Sequence, residues 1–207
     1  MNKGAQTRAT ILDQAIAMAS VDGLDGMSIG RLAIVTGMSK SGLFAHFGSK
    51  DALQRAVLET AAAALARSVL DPAQRESTGE ARLRNFFQRW LDWIGADKHP
   101  GGCPLISASV ELSDRPGELR DLLVEHQEIW IDHIRRMCQK AVVEGNFRDG
   151  LDTRQFAFEF HGIGLSFNFA RRLLADPKAQ LHADTALEKL IATAKRYGWS
   201  GSVEPNT

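Results

Sequence analysis

Over residues 153–175, apolar side chains recur along two faces of a helical period rather than one. Phe156, Phe160, Ile163, Phe167 and Leu174 make one stripe; Phe158, Leu165, Phe169 and Leu173 make another. A helix with a single apolar stripe lies against one core, so a second stripe requires a second body to cover it. Gly162, Gly164, Ser166 and Ala170 lie on the same stretch, and small residues let another helix approach closely. The expected cover is a second copy of the chain, in a two-fold homodimer where each patch meets itself. The interface expected from this pattern comprises Phe158, Gly162, Leu165, Ser166, Phe167, Phe169, Ala170 and Leu173. Leu187, Leu190, Ile191 and Ala194, on a last helix over residues 184–197, complete a four-helix contact.

Helical spacing recurs elsewhere, and no segment sustains strand-like alternation. Ile11, Leu12, Ala15, Ile16 and Ala19 form a stripe that stops at Asp22-Gly23. Two short helices follow, over 29–35 and from Ser39 to about Phe44, separated by Thr36-Gly37-Met38. A longer helix spans 51–70, and the polar stretch 71–79 with Pro72 reads as a connector. Leu83, Phe86, Phe87, Trp90, Leu91 and Ile94 mark the most regular helix. A short helix after Pro104 and a long one from Pro116 to about Gly145 come next. Asp152 with Gln155 resembles a capping box for the two-striped helix. The fold class is all-α, with about nine helices.

Two cysteines, Cys103 and Cys138, are too few for a disulfide framework. No signal peptide is recognisable at the start, and no apolar run reaches the roughly 18–20 residues of a membrane span. These features predict a cytoplasmic chain without a membrane partner. No nucleophile elbow, P-loop or dinucleotide fingerprint occurs, so an enzyme is not expected. His126 and His133 share the inner stripe of the long helix and His161 precedes Gly162. Their spacing matches no metal-ligand pair, so they read as core or pocket histidines, with no metal and no cofactor. Cys103 precedes a helix start and reads as a small pocket-lining or structural thiol, with a redox sensor as the alternative.

Formal net charge is zero, but its distribution is uneven. Between Met27 and Lys50 there are three basic residues and no Asp or Glu. With 25 acidic residues in 207, roughly three would be expected there by chance. An acid-free stretch suits an anionic partner. The same stretch holds the two short helices and the glycine-containing turn, which is helix-turn-helix geometry. Ser39, Lys40, Ser41 and Gly42 open the second helix with small or basic groups that permit close approach to a groove. Ser49-Lys50 opens another helix, whose free N–H groups can meet a phosphate. Ser28, Arg31, Phe44, His46 and Phe47 complete the expected DNA-binding set.

From Thr7 to Leu53 the sequence resembles the tetracycline-repressor (TetR) family of bacterial transcriptional regulators. The resemblance runs through Ile11-Leu12-Asp13-Gln14-Ala15, Met27-Ser28-Ile29, Leu32-Ala33, Gly37-Met38-Ser39, Gly42-Leu43-Phe44, His46-Phe47 and Lys50-Asp51-Ala52-Leu53. It implies that the helix from Ser39 reads the major groove while Phe44, His46 and Lys50 flank it at backbone phosphates. Phe44 stands where many members carry Tyr, so a hydroxyl is lost there. The implied organisation is a helix-turn-helix domain over 1–50, a linking helix over 51–70, and an effector-binding and dimerisation domain over 71–200. The implied function is repression by a homodimer on a palindromic duplex operator, relieved by a small effector.

The richest apolar stripes converge on the helices that flank Gly101-Gly102. An effector pocket is therefore expected among Phe87, Trp90, Leu91, Ile94, Cys103, Ile106, Val110, Trp130, Ile134, Phe160 and Ile163. Such walls suit a small hydrophobic ligand.

Overall fold

The computed structural model describes residues 3–195, and among these the regular elements are all helical. The helices are α1 (Lys3–Gly26), α2 (Ile29–Thr36), α3 (Lys40–Phe47) and α4 (Lys50–Leu65). They continue with α5 (Gly79–Gly95), α6 (Pro104–Leu112), α7 (Glu118–Val143), α8 (Thr153–Arg172) and α9 (Ala179–Lys195). Local chemistry sets most of these boundaries. The side chains of Ser28, Ser39, Ser49 and Thr78 accept backbone N–H groups from the first turns of α2, α3, α4 and α5. Asp152 does the same twice for α8. Gly37 adopts φ 66°, ψ 22° to end α2, the left-handed conformation glycine takes without strain.

Several boundaries differ from the sequence expectation, among them the start of α7, at Glu118 rather than Pro116. α3 runs to Phe47 because Gly48, not Phe44, supplies its end. The helix beginning at Lys50 does not stop at Leu70. It passes through a π-helical turn (Ala66–Leu70) into a last turn (Asp71–Gln74) that contains Pro72. Proline lacks an N–H, and it is tolerated here because it stands in the opening turn of a new hydrogen-bond register. α8 ends at Arg172, where Ala175 turns to positive φ, and α9 starts earlier than 184, after Asp176 accepts the N–H of Lys178 at 2.8 Å. The expected continuation of α9 to Tyr197 lies outside the described residues.

The core of the second domain is aromatic. Phe86, Phe87, Trp90 and Phe160 are fully buried, and Phe86 packs on Trp130 at 4.5 Å between ring centroids. Gly164 makes that packing possible, since a Cβ there would lie 2.1 Å from the Trp90 ring. As anticipated from its two stripes, α8 buries only one. Phe156, Phe160 and Phe167 are inside and Ile163 is half-buried, whereas Phe158, Leu165, Phe169 and Leu173 face out; Leu174 of the first stripe lies past the helix end and is exposed too.

The end of α1 is held firmly against α6. Glu111 accepts the backbone N–H groups of Leu24 and Asp25, each at 2.7 Å. Arg115 pairs with Asp25, and Gln54 donates to the Leu24 carbonyl at 2.8 Å. These N–H groups are free because Gly23 (φ 75°, ψ 173°) breaks the helical path of α1, as the Asp22-Gly23 stop predicted. At the other end of α6, Gly101 donates to Ser20 Oγ at 3.0 Å. Only glycine fits at 101, because a Cβ would fall 1.6 Å from the Ser20 carbonyl oxygen.

Candidate nucleic-acid interface and effector cavity

α2 and α3 meet across the Gly37 turn over a small core of Leu32, Ala33 and Leu43. The outward side of α3 presents Ser39, Lys40, Ser41 and Phe44 to solvent, with Gly42 half-buried beneath the Ser39 cap. Ser39 and Ser41 hydroxyls lie 3.1 Å apart. Lys40 lays its stem over Gly30, whose Cβ, were there one, would sit 3.6 Å from Lys40 Cε. Phe44 is 45% exposed. His46 and Phe47 are half-buried, and Phe47 carries the Arg8 guanidinium 4.9 Å above its ring. Arg8 was not among the expected contacts, and only its position inside the family-like stretch pointed to it.

The acid-free stretch is not acid-free in space. Arg31 pairs with Asp22 at 2.6 Å, and Lys50 Nζ donates to the Asp25 carbonyl at 2.9 Å. Both partners come from the end of α1. Lys40 has no carboxylate partner among the described residues. Lys50, bonded to a neutral backbone carbonyl, has none either, so both lysines keep their charge available to an outside anion.

A cavity of about 270 Å³ lies in the second domain between α4, α6 and α7. Of the expected pocket residues, Trp90, Cys103, Ile106 and Trp130 line it. Phe87, Leu91, Ile94, Ile134 and Phe160 are instead spent in solid core, because the aromatic cluster closes over them. Val110 points to solvent, 78% exposed, and Ile163 lines a groove on the other side of α8. The walls the sequence did not suggest are Ala62, Ala63, Leu65, Ala66 and Leu70 of the linking helix and its π turn. Leu105, Gln127, Ile129 and Glu59 complete these, and His126, His133 and His161, read from the sequence as core or pocket histidines, also line the cavity. His161 stacks on Trp90 with planes 7° apart, and burial holds its ring below the usual imidazole range. Cys103 is buried and its thiol is pushed up by desolvation, which opposes the thiolate a redox sensor needs.

The groove beside Ile163 has a volume of about 650 Å³ and runs between α8 and α9. Gly162, Ser166, Phe167 and Ala170 face it from one side, Ala179, Ala183, Ala186 and Leu190 from the other. Leu187, Ile191 and Ala194 are buried within the chain, so α9 turns these toward its own core, while Leu190, also buried, borders the groove. Phe167 is likewise only 3% exposed.

Residues 11–57 match the model for bacterial regulatory proteins of the tetR family. Residues 79–187 match the tetracyclin repressor-like C-terminal domain. The second match alone spans more than half the chain, and the chain belongs to the tetR family of bacterial regulatory proteins. It is a transcriptional regulator with a helix-turn-helix DNA-binding domain. No curated protein matches it. Among solved structures, a TetR transcriptional regulator from Chloroflexus aurantiacus J-10-FL is similar, with TM-score 0.82 and 24% identity over 93% of this chain and 96% of that one. A TetR-family regulator from Cytophaga hutchinsonii gives TM-score 0.81 and 21% identity over 96% and 99%. AibR in complex with isovaleryl coenzyme A and operator DNA gives TM-score 0.69 and 20% identity over 91% and 98%.

Proposed function

We propose that the chain is a repressor that binds a palindromic operator as a homodimer and leaves it when a small, mostly apolar effector fills the 270 Å³ cavity. The observation that carries this reading is the position of α6. Cys103 and Pro104 begin it, Ile106 lines the cavity, and Glu111 near its other end grips the backbone of α1. One nine-residue helix therefore touches both the ligand and the domain that carries α3.

In the homodimer, the exposed stripe of α8 meets its own copy, and the α8–α9 groove receives side chains from the partner. Two α3 helices then face successive major grooves about one helical turn apart. Lys40 and Ser39 reach base edges, while Lys50, His46 and the start of α4 meet phosphates. An effector acts through its different affinity for two arrangements of the α1–α6 contact, and DNA affinity falls by that difference. The similarity to AibR, which was crystallised with both an acyl-coenzyme A and operator DNA, supports the pairing of the two sites in one fold.

The test selects duplexes from a random pool and measures their affinity. A two-fold symmetric sequence bound by a dimer, with affinity falling steeply as salt rises, is the expected result. Selection of an asymmetric site by a monomer would sink the dimeric reading.

A further inference from the structure

We propose that the cavity takes a small uncharged ring compound bearing a hydroxyl group, in the simplest case a phenol, and that His126 recognises the hydroxyl. This rests on reading the cavity as the effector site and adds the ligand's chemistry.

Size comes first. Ligand pockets commonly run from about 300 to 1,000 Å³, so a 270 Å³ cavity admits a ligand of one or two rings. A whole acyl-coenzyme A does not fit. Its walls then set polarity. No lysine or arginine lines the cavity, and the one ionisable acid on it, Glu59, stands exposed at the edge with Arg55 3.9 Å away. A phosphate or carboxylate entering past Glu59 would find no lysine or arginine inside. Burial keeps His133 and His161 below the usual imidazole range, so these rings stay neutral near pH 7 and supply none either. The indoles of Trp90 and Trp130, with the His161 ring stacked on the first, make flat walls suited to a flat guest.

One lining residue carries a buried side-chain polar atom without a partner. His126 Nε2 is buried and has no hydrogen-bond partner. A buried polar atom without a partner is costly, and a ligand that supplies one gains what the empty protein lacks. A hydroxyl answers whichever tautomer His126 adopts, since it both donates and accepts, whereas an ether or ketone answers only one. Gln127, the next polar group along α7, already donates its amide to Ser109 Oγ at 3.0 Å.

Three probes of one skeleton test the assignment: 4-ethylphenol, ethylbenzene and 4-ethylbenzoate. Each is titrated by tryptophan fluorescence and by release of a selected duplex, against the wild type, His126→Leu and His126→Gln. In the wild type, 4-ethylphenol should bind about tenfold or more tighter than ethylbenzene, and 4-ethylbenzoate weakest. His126→Leu should bring 4-ethylphenol down to ethylbenzene and leave ethylbenzene unchanged, while His126→Gln keeps part of the preference. Equal binding of the first two, tightest binding of 4-ethylbenzoate, or no binding by a protein that still holds its duplex overturns the assigned chemistry alone. Failure to bind any duplex overturns the regulatory reading instead, and the probe ranking still judges the cavity.

Discussion

Glu111 holds the backbone N–H of Leu24 at 2.7 Å across 87 positions of sequence. The neighbouring N–H of Asp25 is held by the other oxygen of the same carboxylate, also at 2.7 Å. One side chain thus fastens the domain that carries α3 to the helix that borders the cavity. Glu111→Ala should remove two charge-assisted hydrogen bonds, one of them exposed, at the low end of the range, about 1.5 kcal/mol each or about 3 kcal/mol together. For a chain of this length that corresponds to a fall in Tm of roughly 6–12 °C. The variant should still bind ligand, but release of DNA on ligand addition should weaken. An unchanged melt together with unchanged release would remove Glu111 from the coupling.

Lys50→Ala should weaken specific and random duplexes by similar factors. The slope of log K against log salt should shrink by about one. Because Lys50 also donates to the Asp25 carbonyl, a loss of affinity with an unchanged slope would assign it a purely structural part. Lys40→Ala should cost specificity more than Lys50→Ala does, as read by the ratio of selected to scrambled duplex affinity.

Charge on the outward stripe of α8 should separate the protomers. Phe158 is 74% exposed and Phe169 53% exposed, so glutamate at either should leave each chain folded while opposing contact with a second copy. Sedimentation should show monomers for Phe158→Glu and Phe169→Glu, with weak binding to a palindrome. Phe167→Glu buries a charge inside the chain and should lower thermal stability instead. Intact dimers for both exposed variants would place the interface elsewhere.

Burial holds His99, His133 and His161 below the usual imidazole range. A depressed value in the folded chain means that the unfolded chain takes up these protons first. Stability from these groups is therefore complete above about pH 6.5 and is lost as pH falls through the lower folded values. Asp132 and Glu188, held low by Arg135 and Arg84, lose their contributions only at or below about pH 4.5. Thermal melts should hence decline between pH 7 and 5. The slope should be shallower in His161→Phe, which keeps a ring against Trp90. A slope identical to wild type would show that His161 does not titrate in that window.

Both thiols should be slow toward alkylation in the folded chain. Burial pushes Cys103 up, and Cys138 is pushed up to about 12 by burial and by Asp152. Mass spectrometry after brief iodoacetamide treatment should show modification only in denaturant. Rapid labelling of Cys103 in the native protein would restore the sensor alternative.

The helix-turn-helix was legible because its signals are local. Ser28, Gly37, Ser39 and Ser49 each fix a helix end with a partner three or four residues away. The partners of Arg31 and Lys50 were not, since Asp22 and Asp25 reach them only through the return of the chain after α1. The cavity was half legible for a different reason. Periodicity tells which face of a helix points inward but not whether the space inside is filled. Phe160 and Trp90 carry the same stripe signal, and one is plain core while the other is wall. Ala62, Ala63 and Ala66 carried no signal beyond helix propensity, yet their small size leaves the room that the cavity occupies.

Gly164 gives α8 the character of a thin partition. Trp90 rests on its bare backbone from one side, while Gly162, Ile163 and Ser166 look into the groove on the other. No side chain at 164 can swing aside to absorb a shift of the indole. A displacement of Trp90 toward α8 must be met by the helix itself, and the groove would narrow with it. On the proposed reading of the cavity, an effector that pressed on that wall from within would be announced on its far face.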